Sequence, residues 1–233
     1  MDIDKVIADI TFAIYSDHEL ISENMNPFML YEEEFQGNLL DIGCGQSPVI
    51  LEMLHTPLNF HAIDPDKKQI EYLIERIERL SPGREIHTYK EPFKSGLFPE
   101  VRFNYIVMSN LLHLKIQIPD LEEFINDVEQ IMAPGARVLV IVHAGEDKGS
   151  DRFRYFSIED LELLFPRERY SVIYKAQHWG DPPKFNIRFG ERYCSMVLDE
   201  ADITDPIQRR IETDAYNEGN DFSSISFMAQ RIL

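Results

Sequence analysis

The segment Leu39-Leu40-Asp41-Ile42-Gly43-Cys44-Gly45-Gln46-Ser47-Pro48, followed by His61-Ala62-Ile63-Asp64-Pro65-Asp66, decides the fold. An apolar run of strand length meets two glycines one residue apart, then a serine and a proline suited to a helix entry. A second apolar run ends in a carboxylate. Strand, glycine turn, helix and acid-terminated strand are the parts with which an α/β sheet binds a nucleoside-bearing ligand. A dinucleotide site needs glycines at G-x-G-x-x-G so that backbone amides approach a pyrophosphate, and Pro48 stands where the third would be. A ligand of another kind is expected.

The residues resemble the first motif of class I S-adenosylmethionine-dependent methyltransferases, which runs acidic-x-Gly-x-Gly-x-(Gly or Ser). Asp41 is the leading acid, Gly43 and Gly45 are the glycines, and Ser47 stands where many members have a third glycine. The likeness continues in order along the chain. An amphipathic helix follows Asp64, and Phe103-Asn104-Tyr105-Ile106-Val107-Met108-Ser109-Asn110-Leu111-Leu112-His113-Leu114 is similar to the family's fourth strand and the loop after it. Leu121 to Val142 reads as a helix, an Ala133-Pro134-Gly135 turn and a fifth strand. The resemblance therefore spans Leu39 to Val142. It implies a Rossmann-like α/β fold: a mostly parallel seven-stranded sheet with helices on both faces and strand seven antiparallel.

Length and composition suit one domain, since 233 residues with 44% hydrophobic and 27% charged content can bury one sizeable core. No apolar run reaches the ~20 residues that span a bilayer. The start Met1-Asp2-Ile3-Asp4-Lys5 lacks the cationic opening and apolar block of a secretory signal, so a cytoplasmic protein is expected. Cys44 and Cys194 are too few for a disulfide framework or a cysteine zinc site, and Cys44 reads as a small residue in a crowded turn. The seven histidines are scattered without close His, Asp or Glu pairs, so no metal site is expected. A formal charge of −18 opposes nucleic-acid binding, which draws on Lys and Arg to neutralise phosphates. An acidic surface serves solubility.

Ile3, Val6, Ile7, Ile10, Ala13 and Ile14 recur at helical spacing, so residues 1–37 read as a helical extension and 38–233 as the main domain. Strand one is Asn38 to Ile42, strand two about Asn59 to Ile63, strand three near Glu85 to Tyr89 and strand four Tyr105 to Met108. Ser47, Asp66 and Asp120 are placed as helix N-caps, and Ser157-Ile158-Glu159-Asp160 as a capping box. Strand five is Arg137 to Val142 and strand six Tyr170 to Ala176. Glu191 to Leu198 and Phe222 to Ile232 compete for strand seven. The terminal one is favoured because Ile225 to Arg231 resembles the usual ending of the fold. Residues 179–221 then form an insertion, with a helix from Pro206 to Tyr216, expected beside the pocket as part of the substrate wall.

The resemblance implies S-adenosylmethionine as cofactor and distributes residues over its parts. Gly43 and Gly45, with Cys44 between them, let the backbone approach the sugar and the amino-acid tail. Asp64 accepts from both ribose hydroxyls, Pro65 contacts the adenine face, and Glu91 reads the adenine amino group. Asp41 holds the ammonium, directly or through water, or else bonds the amides of the turn. Ser109 and Asn110 stand beside the methionine moiety. Transfer from an activated sulfonium needs positioning more than acid–base apparatus, so the chain need not advertise a catalytic side chain. His113 is the best candidate base for a hydroxyl or amine acceptor, with His143 in reserve; a packed loop histidine is the alternative for both. Phe28, Tyr31, Tyr155 and Trp179 are candidate walls of an acceptor pocket, or core.

Two functions are expected from these residues. One is an enzyme that methylates an oxygen, nitrogen or carbon of a small-molecule acceptor. The other is a non-catalytic S-adenosylmethionine-binding module whose acidic surface engages a protein partner. Nucleic-acid methylation is disfavoured by charge, and Ser109-Asn110-Leu111-Leu112 lacks the Asn/Asp-Pro-Pro-aromatic signature of enzymes that methylate base amino groups. No motif specifies the acceptor or an oligomeric state.

Overall fold

The computed structural model describes residues 27–28, 34–45, 47–145, 154–178 and 224–232. Seven strands make one sheet: β1 Asn38–Ile42, β2 Asn59–Ile63, β3 Ile86–Tyr89, β4 Phe103–Ser109, β5 Met132–His143, β6 Tyr170–His178 and β7 Ser224–Arg231. Their spatial order is β3-β2-β1-β4-β5-β7-β6. Pairing is parallel from β3 through β5, and β7 runs antiparallel between β5 and β6. The terminal segment is thus strand seven, as expected. Its competitor at 191–198, the helices expected at the N-terminus and at 206–216, Tyr31 and Trp179 lie outside the described residues.

Among the described residues four α-helices connect the strands: α1 Pro48–Glu52, α2 Lys67–Leu80, α3 Leu121–Ile131 and α4 Ile158–Leu164. Each begins where a side chain takes an amide that the first helical turn leaves without a partner. Ser47 Oγ accepts from Ile50 N at 3.2 Å, Asp66 from Lys68 N at 2.9 Å and Asp120 from Glu123 N at 3.0 Å. Ser157 and Asp160 cap α4 reciprocally. α1 and α2 cover one face of the sheet through Ile50, Ile70, Leu73 and Ile77, against Leu39, Phe60 and Val107. α3 and α4 cover the other through Ile125, Val128 and Leu161, against Leu40, Ile106 and Val138. With both faces buried, the central strands read as continuous apolar runs. No helix among the described residues is long and apolar enough to cross a membrane.

The largest departure from the sequence reading is at the start of β5. Ala133-Pro134-Gly135, expected as a turn before strand five, lies inside β5. Phe103 pairs with Met132, but Tyr105 pairs with Arg137, so three extra residues of β5 are absorbed as a bulge. Gly135 takes φ +70° there, and its carbonyl accepts from Gln230 Nε2 at 3.1 Å. A bulge accommodates a proline, which has no amide for the ladder.

The order of strands sets the place of the site. From β1 the chain winds outward through β2 and β3, then returns to lay β4 on the other side of β1. Connections therefore diverge at the carboxyl ends of β1 and β4, opening a crevice between them.

Candidate functional site

β1 runs into a turn with φ +66° at Gly43, +47° at Gly45 and +41° at Ser47. Residues with a Cβ avoid this region, which accounts for the two glycines. Ser47 is held in it by its side chain, which caps α1 and donates to Asp41 Oδ2. The amides of the turn bond internally. Gly43 N and Cys44 N both donate to Ile63 O, at 2.9 and 3.1 Å, and Ser47 N donates to Cys44 O at 2.6 Å. Gly45 N donates to Asp64 Oδ2 at 2.9 Å. None of these four amides remains to cradle a phosphate, which agrees with the reading of Pro48 against a dinucleotide.

The two glycines do different work. A Cβ on Gly43 would lie 2.8 Å from Leu111 Cδ1, whereas nothing lies within 4 Å of a Cβ on Gly45. Gly43 therefore admits Leu111, from the loop after β4, and Gly45 alone of the pair faces open space. The space that a Cβ on Gly43 would need is thus taken by a side chain of the same protein.

Two carboxylates flank the turn. Asp64, at the end of β2, is 9% exposed and accepts from Gly45 N and, through Oδ1, from Asp66 N at 2.8 Å. Burial raises its pKa and the two amides oppose the rise. An ionised carboxylate offers about four acceptor positions, so Asp64 retains two. Asp41 is 1% exposed; Oδ2 bonds Ser47, while Oδ1 is buried with no hydrogen-bond partner among the described residues. The amides of Gly43, Cys44, Gly45 and Ser47, which Asp41 was expected to bond if it missed the ligand, go to Ile63, Asp64 and Cys44 instead. Burial pushes Asp41 up to about 7, the Ser47 hydroxyl works against it, and the charge of Asp64 adds to it. Cys44 is buried beside them, its thiol pushed up by burial first and then by Asp41 and Asp64, so it is a protonated filler. A buried acceptor left unmade costs about 1–3 kcal/mol, more when charged. Together these groups favour a cationic ligand that also carries hydroxyl donors.

The other expected residues are placed as follows. Ser109 ends β4 half-buried, and Asn110, exposed at φ +54°, donates its amide to Ile141 O at 2.8 Å. Pro65 is exposed directly after Asp64, and Glu91 is exposed in the loop after β3. Phe28 packs edge-on against Tyr105 at 5.3 Å and belongs to the core. His113 is 1% exposed, its ring edge-on to His143 at 4.7 Å. Burial, then His143, holds His113 well below the usual histidine range, and burial holds His143 near 4. Both are neutral imidazoles, and an acceptor has no access to His113 in this conformation. Among the described residues no group of three His, Cys, Asp or Glu side chains is arranged to hold a metal ion.

Two residues of this region escaped the sequence reading. Leu111 is one apolar residue among several, and nothing in its spacing marks it as the neighbour of Gly43. Arg154 belongs to no motif in the segment that follows β5, where Ala144 bridges to Phe156. Its guanidinium donates to three carbonyls of the loop after β4: Leu112 at 3.2 Å, Ile118 at 2.6 Å and Pro119 at 3.0 Å. Its own amide donates to His113 O at 2.8 Å. Arg154 also lines a cavity of about 800 Å³ between α3 and α4, with Lys115, Leu121 and Tyr155.

Residues 39–135 match the family model of a methyltransferase domain. No protein of curated function matches the chain. Among solved structures, the [4+2]-cyclase SpnF is similar at a TM-score of 0.62 and 15% identity, over 94% of this chain and 81% of that one. YjhP from E. coli is similar at 0.59 and 13% identity, over 94% and 98%. A SAM-dependent methyltransferase from Methanosarcina mazei is similar at 0.56 and 16% identity, over 88% and 97%. At such identities these likenesses establish the fold alone.

Proposed function

We propose, from the premise that this chain belongs to the class I S-adenosylmethionine-dependent methyltransferase family, that it transfers a methyl group from S-adenosylmethionine to a small-molecule acceptor. One observation carries the reading of the crevice: Asp41 Oδ1 is buried with no hydrogen-bond partner among the described residues, in a turn where Gly45 has an open side and the carboxylate of Asp64 is half-used. The cofactor, when bound, supplies a methyl group on a positively charged sulfur. Its donor set fits: an ammonium for Asp41, a ribose diol for Asp64, and no phosphate for a turn whose four bonded amides are committed internally.

Each residue then has a task. Asp64, fixed by the amides of Gly45 and Asp66, orients the ribose. Asp41, kept rigid by Ser47, neutralises the ammonium. Gly45 permits close approach, and Ser109 and Asn110 at the end of β4 border the amino-acid tail. Pro65 and Glu91 stand at the adenine end. Cys44 contributes packing within the turn rather than a polar contact. Positioning supplies the rate, because alignment of a nucleophile with an activated methyl replaces a bimolecular search by a bound geometry.

On this reading the acceptor enters over the carboxyl ends of the strands, where the loops of an open α/β sheet carry specificity. A net charge of −18 supports a small metabolite over a nucleic acid. The fold also serves a [4+2]-cyclase, so chemistry must be argued from the crevice and not from architecture. The test is transfer of a radiolabelled methyl group from S-adenosylmethionine into a small-metabolite extract. Label in a low-mass product supports the enzyme; cofactor binding without any transfer supports the non-catalytic binding module instead.

A further inference from the structure

We infer that Arg154 is a positioning residue for the crevice between β1 and β4, acting through Leu111; the inference rests on the cofactor reading above. Leu111 closes one side of the glycine turn, with Cδ1 seated where Gly43 has no side chain. The turn beneath it is fixed, since Gly43 N and Cys44 N share the Ile63 carbonyl. The position of Leu111 is therefore decided by its own loop, which leaves β4 after Ser109 and reaches α3 at Leu121.

Two backbone bonds among the described residues run within that loop. Leu114 N donates to Leu111 O and Ile118 N to Leu114 O, each at 3.0 Å. Arg154 adds four more from outside: its guanidinium to the carbonyls of Leu112, Ile118 and Pro119, and its amide to the carbonyl of His113. The bonded carbonyls lie on both sides of the loop's middle, so one planar group draws its two ends together. A guanidinium has five donors in a fixed fork, whereas a lysine ammonium is a compact point charge that cannot span three separated carbonyls in the same way. Arg154 is held in turn by the segment along the end of β5, where Phe156 N donates to His143 O at 3.1 Å. The chain after β5 thus sets the wall of a crevice that opens between β1 and β4.

The test uses the full chain and S-adenosylhomocysteine as probe, titrated calorimetrically into wild type, Arg154→Met, Arg154→Lys, Leu111→Ala and the Arg154→Met, Leu111→Ala double variant. Arg154→Met is expected to weaken binding about ten-fold, and Arg154→Lys about three-fold. If Arg154 acts through Leu111, the double variant binds within about two-fold of Leu111→Ala alone, because the effects of coupled residues do not add. Amide hydrogen exchange at residues 111–119 accelerates in Arg154→Met while β1 and β4 stay protected. Arg154→Met binding as wild type does, or losses that multiply in the double variant, overturns the inference. Should Arg154→Met fail to fold, Arg154→Lys must show the intermediate loss, and its absence overturns the inference equally. A wild type that binds no probe defeats the cofactor reading itself, and is thereby distinct from a wild type that binds alongside an indifferent Arg154 variant.

Discussion

Replacing Gly43 with alanine puts a Cβ 2.8 Å from Leu111 Cδ1 and 3.3 Å from Leu111 Cγ and Cδ2. Two separate costs follow. The backbone at φ +66° is strained for any residue with a Cβ, by about 1–2 kcal/mol. The contact forces the half-buried Leu111 side chain to move, an overpacking cost of about 1–3 kcal/mol. Gly43→Ala should therefore lose about 2–5 kcal/mol, a large share of the ~5–15 kcal/mol typical of a whole domain. Leu111→Ala removes the contact and leaves the strain untouched. In the double variant the second cost vanishes, so the two changes should couple favourably by about 1–3 kcal/mol, well above the ~0.5 kcal/mol scatter of independent sites. Urea unfolding of the four proteins, followed by far-ultraviolet circular dichroism, gives the free energies by linear extrapolation. Gly45→Ala is the control: with nothing within 4 Å it should lose only the strain of φ +47°, whether or not Leu111 is present. Additive losses for Gly43→Ala and Leu111→Ala would refute the account of this contact.

Other outcomes follow from the titrating groups. In the fold Asp41 is pushed up from its ordinary 3.8 to about 7, so between those values the folded chain holds a proton that the unfolded chain has released. Its contribution to stability is then greatest at low pH and falls as pH rises through 7; the interval at about 1.4 kcal/mol per pH unit corresponds to about 4 kcal/mol. Asp41→Asn, which cannot ionise, should melt above wild type at pH 8 and converge with it near pH 4; the reverse order at pH 8 sinks the argument. Because a cation beside Asp41 favours its ionised form, binding of S-adenosylmethionine near pH 7 should release protons, seen as buffer-dependent heats in calorimetry; heats that do not vary with buffer would count against it. His61, stacked on His87 at 4.6 Å and bonded to Tyr89 Oη at 3.1 Å, is lowered to about 4 by burial and then by His87. The unfolded chain binds that proton below about 6.5, so stability is lost as pH falls from 6.5 to 4. His61→Asn should flatten this part of the melting profile, and an unchanged slope would contradict the assignment.

The features legible in the sequence were those fixed by neighbours along the chain. Ser47, Asp66, Asp120 and Ser157 cap helices because each stands two or three residues before the amide it accepts. Asp41, Gly45 and Asp64 showed themselves by their places at strand ends. What stayed hidden was set by contacts between distant segments. Pro134 and Gly135 signal a local break, yet pairing with β4 and the Gln230 side chain keeps them in β5 as a bulge. His113 was visible as a residue type, but its enclosure against His143 depends on how two loops meet. Leu111 and Arg154 carry no spacing signal at all, since the partners they meet, Gly43 and three scattered carbonyls, are adjacent only after folding.

The central claim is that the crevice lined by Asp41, Gly45 and Asp64 holds S-adenosylmethionine. Calorimetric titration of wild type and Asp64→Asn with this cofactor tests it most directly. A saturable one-to-one isotherm for wild type, weakened at least about ten-fold in a folded Asp64→Asn variant, is the predicted result. A folded wild-type protein that gives no saturable heat, or an Asp64→Asn variant that binds as wild type does, contradicts it.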